Sequence, residues 1–148
     1  MGGVLTTITY KKGIVAYDSR MLCGHTIVSD DYDKHEESKG VHFFLTGSCC
    51  EHKKLIGAYE GEKLESENSA TALVLDKGEL YLAIFNKGES ISICSEDRNQ
   101  PIALGSGEDH ALTAMDMGAT AKEAIKWTIK RDCGTGGRIR TFKIKKDR

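Results

Sequence analysis

The stretch TTITYKKGIVAYDSRMLCGHTIVSDDYDK, residues 6–34, decides how the rest of the chain is read. It begins as a β-hairpin in outline. TTITY is rich in β-branched and aromatic residues, Lys11-Lys12-Gly13 supplies a turn whose glycine tolerates positive φ, and GIVAY runs back. Folding the chain about Lys12 sets Asp18 opposite Thr6, each six residues from that point, and Lys34 follows sixteen residues later (34 − 18). The sequence therefore predicts that a hydroxyl, a carboxylate and an amine meet at one end of a small sheet. That combination suits nucleophilic chemistry.

The remaining composition narrows the function classes. A chain of 148 residues reads as one domain, 1–148, with room for a single core. Hydrophobic residues at 39% and charged residues at 29% are ordinary for a soluble globular protein. A net charge of −1 provides no field to recruit nucleic acid or an anionic membrane, so neither is expected as a partner. No apolar run approaches the roughly 20 residues of a membrane span. MGGVLTTITY lacks the basic-then-apolar layout of a secretory signal, and a cytoplasmic location follows as an expectation. The five cysteines, with no CxxC and a vicinal Cys49-Cys50 pair, read as reduced thiols, and the five histidines show no ligand spacing. No metal and no cofactor is expected.

Beyond the hairpin, Met21 to Gly40 reads as an irregular polar segment carrying short strands, and VHFFLTG, residues 41–47, as an apolar strand. Ser48-Cys49-Cys50-Glu51 has the S-x-x-E form of a capping box opening a helix with Leu55, Ile56 and Tyr59 inward. SATALVLD, LYLAIF and SISIC, separated by the look-alike DKGE and NKGE turns, predict an antiparallel meander. Pro101 starts one more strand, PIALG. Ser106-Gly107-Glu108-Asp109 reads as a second capping box, for a helix with Ala111, Leu112, Ala114 and Met115 inward. Thr120-Ala121-Lys122-Glu123 is a third, for a helix with Ala124, Trp127, Thr128 and Arg131 on one stripe and Ile125 and Ile129 beside it. RIRTFKI is the last strand. Runs of strands followed by helices predict an α+β fold with sheets inside and helices outside.

The ordered set of motifs resembles the proteasome β-subunit and HslV family of N-terminal-nucleophile hydrolases. It consists of TTITY…GIVAYDSR, Lys34 at its spacing from Asp18, LTGS after the third strand, ALGSG before a helix, and RDCGTGGRIRTFKI. The last block places Thr135 where the family usually has serine. The resemblance implies a four-layer αββα sandwich and amide hydrolysis through an acyl-ester. It implies Thr6 as the nucleophile once residues 1–5, a short propeptide, are removed, with the freed α-amine as general base. Lys34 would favour the alkoxide, Asp18 would hold Lys34 charged, and Ser106, Asp132 and Thr135 would orient the amine. The Gly47 N–H would serve the oxyanion. The implied partners are a peptide or unfolded-protein substrate, further copies of the chain in a homo-oligomeric ring, and an ATP-dependent unfoldase.

Two function classes stay open at this stage. One is a threonine peptidase, or a related hydrolase of small amides. The other is a catalytically silent proteasome-fold protein acting as a binding or assembly module. The second is suggested by Leu5, which stands before Thr6 where self-cleaving relatives commonly carry glycine. Singly, each site residue has a plainer explanation: Ser48 and Ser106 as helix caps, Asp18 with Lys34 as a surface pair.

Overall fold

The computed structural model describes residues 2–145, with the backbone alone for 2–4. Two mainly antiparallel sheets and three α-helices make an α+β fold. The smaller sheet is built on the hairpin β2 (Thr7–Lys11) and β3 (Ile14–Tyr17). It is flanked by β11 (Ile102–Gly105) on β2 and β12 (Arg140–Lys143) on β3. The larger sheet runs through the meander β10 (Ser92–Glu96), β9 (Glu79–Phe85), β8 (Ala70–Asp76) and β7 (Val41–Ser48). It continues through β1 (Gly2–Val4), β4 (Met21–Cys23) and β5 (Thr26–Ser29). β6 (His35–Ser38) pairs with Val41 to Phe44 of β7, and β1 pairs with Gly47 and Ser48 further along the same strand.

Lys-Gly dipeptides set the registers. Lys12-Gly13, Lys39-Gly40 and Lys77-Gly78 each join strands as a two-residue loop with both residues at positive φ, the turn whose twist matches a right-twisted ribbon. The first of these corrects the sequence-based register. The hairpin folds between Lys12 and Gly13 and pairs Lys11 with Ile14 and Ile8 with Tyr17, so the ladder puts Asp18 level with Thr7, not Thr6. The NKGE segment differs from DKGE. The Gly88 N–H donates to the Ser66 carbonyl at 2.8 Å and Lys87 bridges to Ser66, which draws the connection out and delays the strand to Ser92.

Ile8, Tyr10, Val15 and Tyr17 of the smaller sheet pack against Phe44, Leu73, Leu75 and Leu80 of the larger one. α1 (His52–Tyr59) covers the other face of the larger sheet, with Leu55 and Ile56 against Phe43, Leu45, Val74 and Phe85. α2 (Glu108–Asp116) and α3 (Ala121–Ile129) lie on the smaller sheet through Ala111, Met115, Ala121, Ala124 and Ile125. In α3 the buried stripe is Ala121, Ala124, Ile125 and Thr128. Arg131 is exposed. Trp127, expected inward, is 57% exposed and lies under the Lys130 ammonium, and Leu112 of α2 is also outside. Small residues at the helix–sheet seam let the backbones approach, and no volume is left there for an indole.

The three capping boxes divide. Thr120 accepts from the Glu123 N–H while the Glu123 carboxylate accepts from the Thr120 N–H, a complete box. Ser48 makes no capping bond; a short 3₁₀ turn, Cys49–Glu51, intervenes before α1. α2 has Gly107 at its N-cap and no side-chain cap, so Ser106 does not close it either. Among the described residues, no helix is long and apolar enough to cross a membrane.

Candidate active site

The hairpin register leaves Thr6 just outside the ladder, and its side chain still reaches Asp18. The Thr6 hydroxyl donates to Asp18 Oδ1, and the Lys34 ammonium donates to both Thr6 Oγ1 and, at 2.7 Å, to Asp18 Oδ1. All three residues are buried, with Thr6 and Asp18 at 0% exposure and Lys34 at 1%. Lys34 immediately precedes β6, and its carbonyl accepts from the Leu45 N–H of β7, which fixes where its side chain begins. Asp18 also accepts from the backbone N–H groups of Thr7 (3.2 Å), Gly136 (2.9 Å) and Arg20 (3.4 Å). These donors satisfy a carboxylate that has been taken out of water.

Burial pushes the Lys34 amine down to about 8, and the adjacent Asp18 carboxylate opposes that fall without cancelling it. The site thus holds an amine that is mostly charged at neutral pH and that loses its proton far more readily than a surface lysine. The sequence reading had Asp18 simply holding Lys34 charged. The dry surroundings win part of that contest.

A second cluster adjoins the first. The Ser106 and Thr135 hydroxyls both donate to Asp132 Oδ2 at 2.6 Å, and the Gly134 N–H donates to Oδ1 at 3.2 Å. Burial raises the Asp132 carboxyl, but these hydrogen bonds outweigh it and hold the group below its ordinary range. Since the Thr135 hydrogen is committed to Asp132, the 2.8 Å contact between the Thr7 and Thr135 hydroxyls must have Thr7 as donor. The cluster meets Thr6 at its carbonyl, which accepts from the Ser106 N–H at 2.7 Å.

Gly47 lies on β7 across from Val4, two residues before Thr6. Its φ is +94°, and a Cβ there would sit 2.6 Å from the Ser69 carbonyl oxygen and 2.8 Å from Ala70 Cα, so only glycine fits. All seven residues singled out in the sequence, Thr6, Asp18, Lys34, Gly47, Ser106, Asp132 and Thr135, thus converge on one end of the hairpin. Thr7, Arg20 and Gly136 were missed, although the Thr-Thr doublet and the second glycine of the CGTGG run were visible.

Access to the site is controlled by the residues before Thr6. Leu5 is joined to Thr6, and its carbonyl lies 3.5 Å from Lys34 Nζ. β1 fills the gap between β7 and β4, with Val4 across from Gly47, Gly3 across from Ser48 and Leu22, and Gly2 across from Cys23. A cleft of ≈ 410 Å³ reaches Leu5, beside Thr6 in the chain, and is lined also by Gly47, Leu82, Ala103, Ser106 and Glu108. A groove of ≈ 880 Å³ lies at the turn end of the hairpin, by Lys12 and Arg98, remote from this chemistry. Among the described residues, no group of three or more His, Cys, Asp or Glu side chains is placed to hold a metal ion, and no cysteine is in a disulfide.

No family model and no curated protein matches the chain. Its fold is similar to that of Thiobacillus denitrificans BPH, with a TM-score of 0.67 at 16% identity, covering 99% of this chain and 100% of that one. A second structure, Thiobacillus denitrificans BPH in complex with Epoxomicin, superposes with a TM-score of 0.65 at 17% identity, covering 96% of this chain and 97% of that one. At such identity these likenesses show that the fold is shared.

Proposed function

We propose that this chain is a threonine-type amide hydrolase of the proteasome and HslV kind, a single N-terminal-nucleophile domain with the αββα layering of that class. The observation that carries the reading is the direct contact of the Thr6 hydroxyl with Asp18 and Lys34, all three buried, beside the Leu5–Thr6 peptide bond. A fold gains nothing from burying a lysine and an aspartate together where apolar residues of similar volume would serve.

The proposed reaction begins with maturation. Thr6 Oγ attacks the Leu5 carbonyl carbon, its proton passing to Asp18. The C–N bond breaks as Asp18 returns that proton to the nitrogen, and the resulting Leu5–Thr6 ester is cleaved by water. The freed α-amine then acts as base for later substrates, with an ordinary pKa of about 8. Each substrate acylates Thr6 Oγ as its amine fragment leaves with the proton that the α-amine took from the hydroxyl, and water then cleaves the ester to release the acid fragment. Lys34 stabilises the developing alkoxide, the Gly47 N–H serves the oxyanion, and Asp132 with Ser106 and Thr135 orients the amine. Departure of β1 would leave a slot between β7 and β4 that an extended peptide fills by strand addition, which favours peptide or unfolded-protein substrates. Copies of the chain in a ring, with an ATP-dependent unfoldase, belong to the same proposal.

The second reading, a silent binding or assembly module, is favoured by one observation, the bulky Leu5 at the bond that maturation must break. With Leu5 attached, the Thr6 nitrogen is an amide and cannot act as a base. Intact mass of the purified chain, followed with time and after addition of epoxomicin, separates the two readings. The enzyme reading expects a chain beginning at Thr6 that gains the mass of epoxomicin, and a Thr6→Ala chain that does neither. A wild-type chain that retains residues 1–5 and hydrolyses no peptide establishes the module.

A further inference from the structure

Glu51 is 1% exposed, lies outside the polar clusters around Thr6 and makes no helix cap. Its carboxylate reaches away from α1. Oε1 accepts from the backbone N–H groups of Glu67 and Asn68, both at 3.1 Å, while Oε2 has only the Lys54 ammonium at 3.9 Å. Those two amides belong to the connection that leads into β8, where the Ser66 hydroxyl also donates to the Asn68 carbonyl. The next residue, Ser69, presents its carbonyl to the Ser48 N–H at 3.1 Å and stands against Gly47 at the closest approach a glycine permits.

We infer that Glu51 is a positioning residue for the Gly47 amide, acting through the 67–69 connection. The inference rests on the proposed hydrolase reading for its catalytic meaning, and on geometry alone for the clamp. Gly47 at φ +94° has no side chain to hold it. Its peptide is fixed from one side by β8, and β8 begins at a segment whose amides are gathered by a single buried oxygen. A carboxylate taken fully out of water is costly, so a residue placed there for packing alone would be apolar. One oxygen accepting from two consecutive amides instead makes the start of β8 rigid. An oxyanion donor is effective only when it is held in place before charge develops.

Charge and reach separate cleanly by substitution. Glu51→Gln keeps a carbonyl oxygen at the same reach, able to accept both amides. Glu51→Asp keeps the charge and withdraws the oxygen by one methylene, and Glu51→Ala removes both. Two readouts are used: amide hydrogen exchange at Ser48, and steady-state peptide hydrolysis by the matured chain. The expected result is Ser48 exchange accelerated about tenfold or more in the folded Asp and Ala variants and restored in the Gln variant. In the same variants kcat falls about tenfold or more at a KM within twofold of wild type, since the lost interaction belongs to the transition state. Unchanged Ser48 exchange in a folded Glu51→Asp chain overturns the clamp. Faster exchange with unchanged kcat in an active enzyme overturns its link to Gly47. If the wild type hydrolyses nothing, the hydrolase reading fails by itself, and the exchange measurement still decides the clamp. Should Glu51→Ala not fold, the Gln and Asp pair carries the test.

Discussion

The two ends of the β2–β3 hairpin use the same residue types in opposite ways. At the turn end, polar groups close helices. The Lys11 ammonium caps the end of α2 through the Met115 and Ala119 carbonyls, both at 2.9 Å, and Thr120 with Glu123 closes the start of α3. At the Thr6 end, helices go without such help. α2 starts beside Ser106 and α1 a few residues after Ser48, yet neither has a side-chain cap. Ser106 is turned to Asp132 and Glu51 to the connection before β8. A cap contributes about 1 kcal/mol. Forgoing it at two helices, both on the side where a hydroxyl, a carboxylate and an amine are buried together, separates a region whose polar groups close helices from one whose polar groups are spent on one another, as the proposed hydrolase requires.

The comparison breaks most visibly at Lys34. In Lys34→Met, an apolar chain of similar length replaces the ammonium, while Asp18 keeps the donors Thr7, Gly136 and Arg20. Peptide hydrolysis is expected to fall by about 10²–10³. The stability signature is more specific. The Lys34 amine falls to about 8 on folding, so between that pH and the ordinary lysine range of about 10.4 the unfolded chain binds a proton that the folded one has released. Stability of the wild type should therefore rise with pH across this window, by up to about 3 kcal/mol, relative to Lys34→Met. Urea unfolding at pH 7.5 and pH 9.5 checks it, since the contributions of Tyr17 and Tyr59, both raised by burial in the folded chain, are common to the two proteins and cancel in their difference. A parallel pH response in the two proteins would place Lys34 in water.

His52, the first residue of α1, sharpens the contrast from the acid side. It is 4% exposed and its Nε2 is buried with no partner, and burial lowers its pKa to about 4, with the Lys34 charge adding to the fall. The unfolded chain takes up a proton near pH 6.5 and the folded chain only near pH 4, so stability is lost as pH falls through that window. The expected loss is about 2–3 kcal/mol, and His52→Gln should abolish this component. Unfolding midpoints of the two proteins at pH 7 and pH 4.5 measure it; equal losses would refute the assignment to His52.

Much of the fold was legible because its signals are local. Alternation in SATALVLD and LYLAIF, and the Lys-Gly turns, announce strands and hairpins, and the turn chemistry fixes the register to within one residue. The site was legible only as an ordered set, since no one of its residues departs from ordinary strand or cap usage. What escaped was non-local. β1 is a Gly-Gly-Val segment with little strand propensity, made a strand by the gap between β7 and β4. Glu51 looked like part of a capping box because sequence spacing records which bonds are available, and tertiary structure decides which are made. Trp127 was placed inward by a helical period that fits two adjacent faces, and packing against a seam of small residues selected the other one.

Ser106→Ala distinguishes a cap from a site residue at the same helix start. With no capping bond to lose, α2 should be destabilised by less than about 0.5 kcal/mol, below the usual cost of removing a serine cap. Asp132 loses one of two hydroxyl donors, so hydrolysis should fall about tenfold, with Thr135 retaining part of the alignment. Thermal unfolding and peptide kinetics on the same preparation give both numbers. A stability loss near 1 kcal/mol with unaltered kinetics would return Ser106 to the role of a cap.

Thr120→Ala is the counterpart, and its effect is the smallest of the set. The residue closes α3 at the end remote from Thr6, where its hydroxyl accepts from the Glu123 N–H and Glu123 returns a bond to the Thr120 N–H. Removing the hydroxyl should cost about 1 kcal/mol of stability and leave kcat unaltered. The reason for expecting no catalytic effect is the length of α3. The helix packs along β2 and β3 and delivers Asp132 just past its far end, held by the Asp132 N–H bond to the Thr128 carbonyl and by the buried Thr128 hydroxyl on the Ala124 carbonyl. Fraying of the first turn stops at Ala121, Ala124 and Ile125, which are anchored in the core. A drop in kcat in Thr120→Ala would show instead that α3 transmits disorder along its full length, and the separation of the two hairpin ends would then be one of position only, without independence of function.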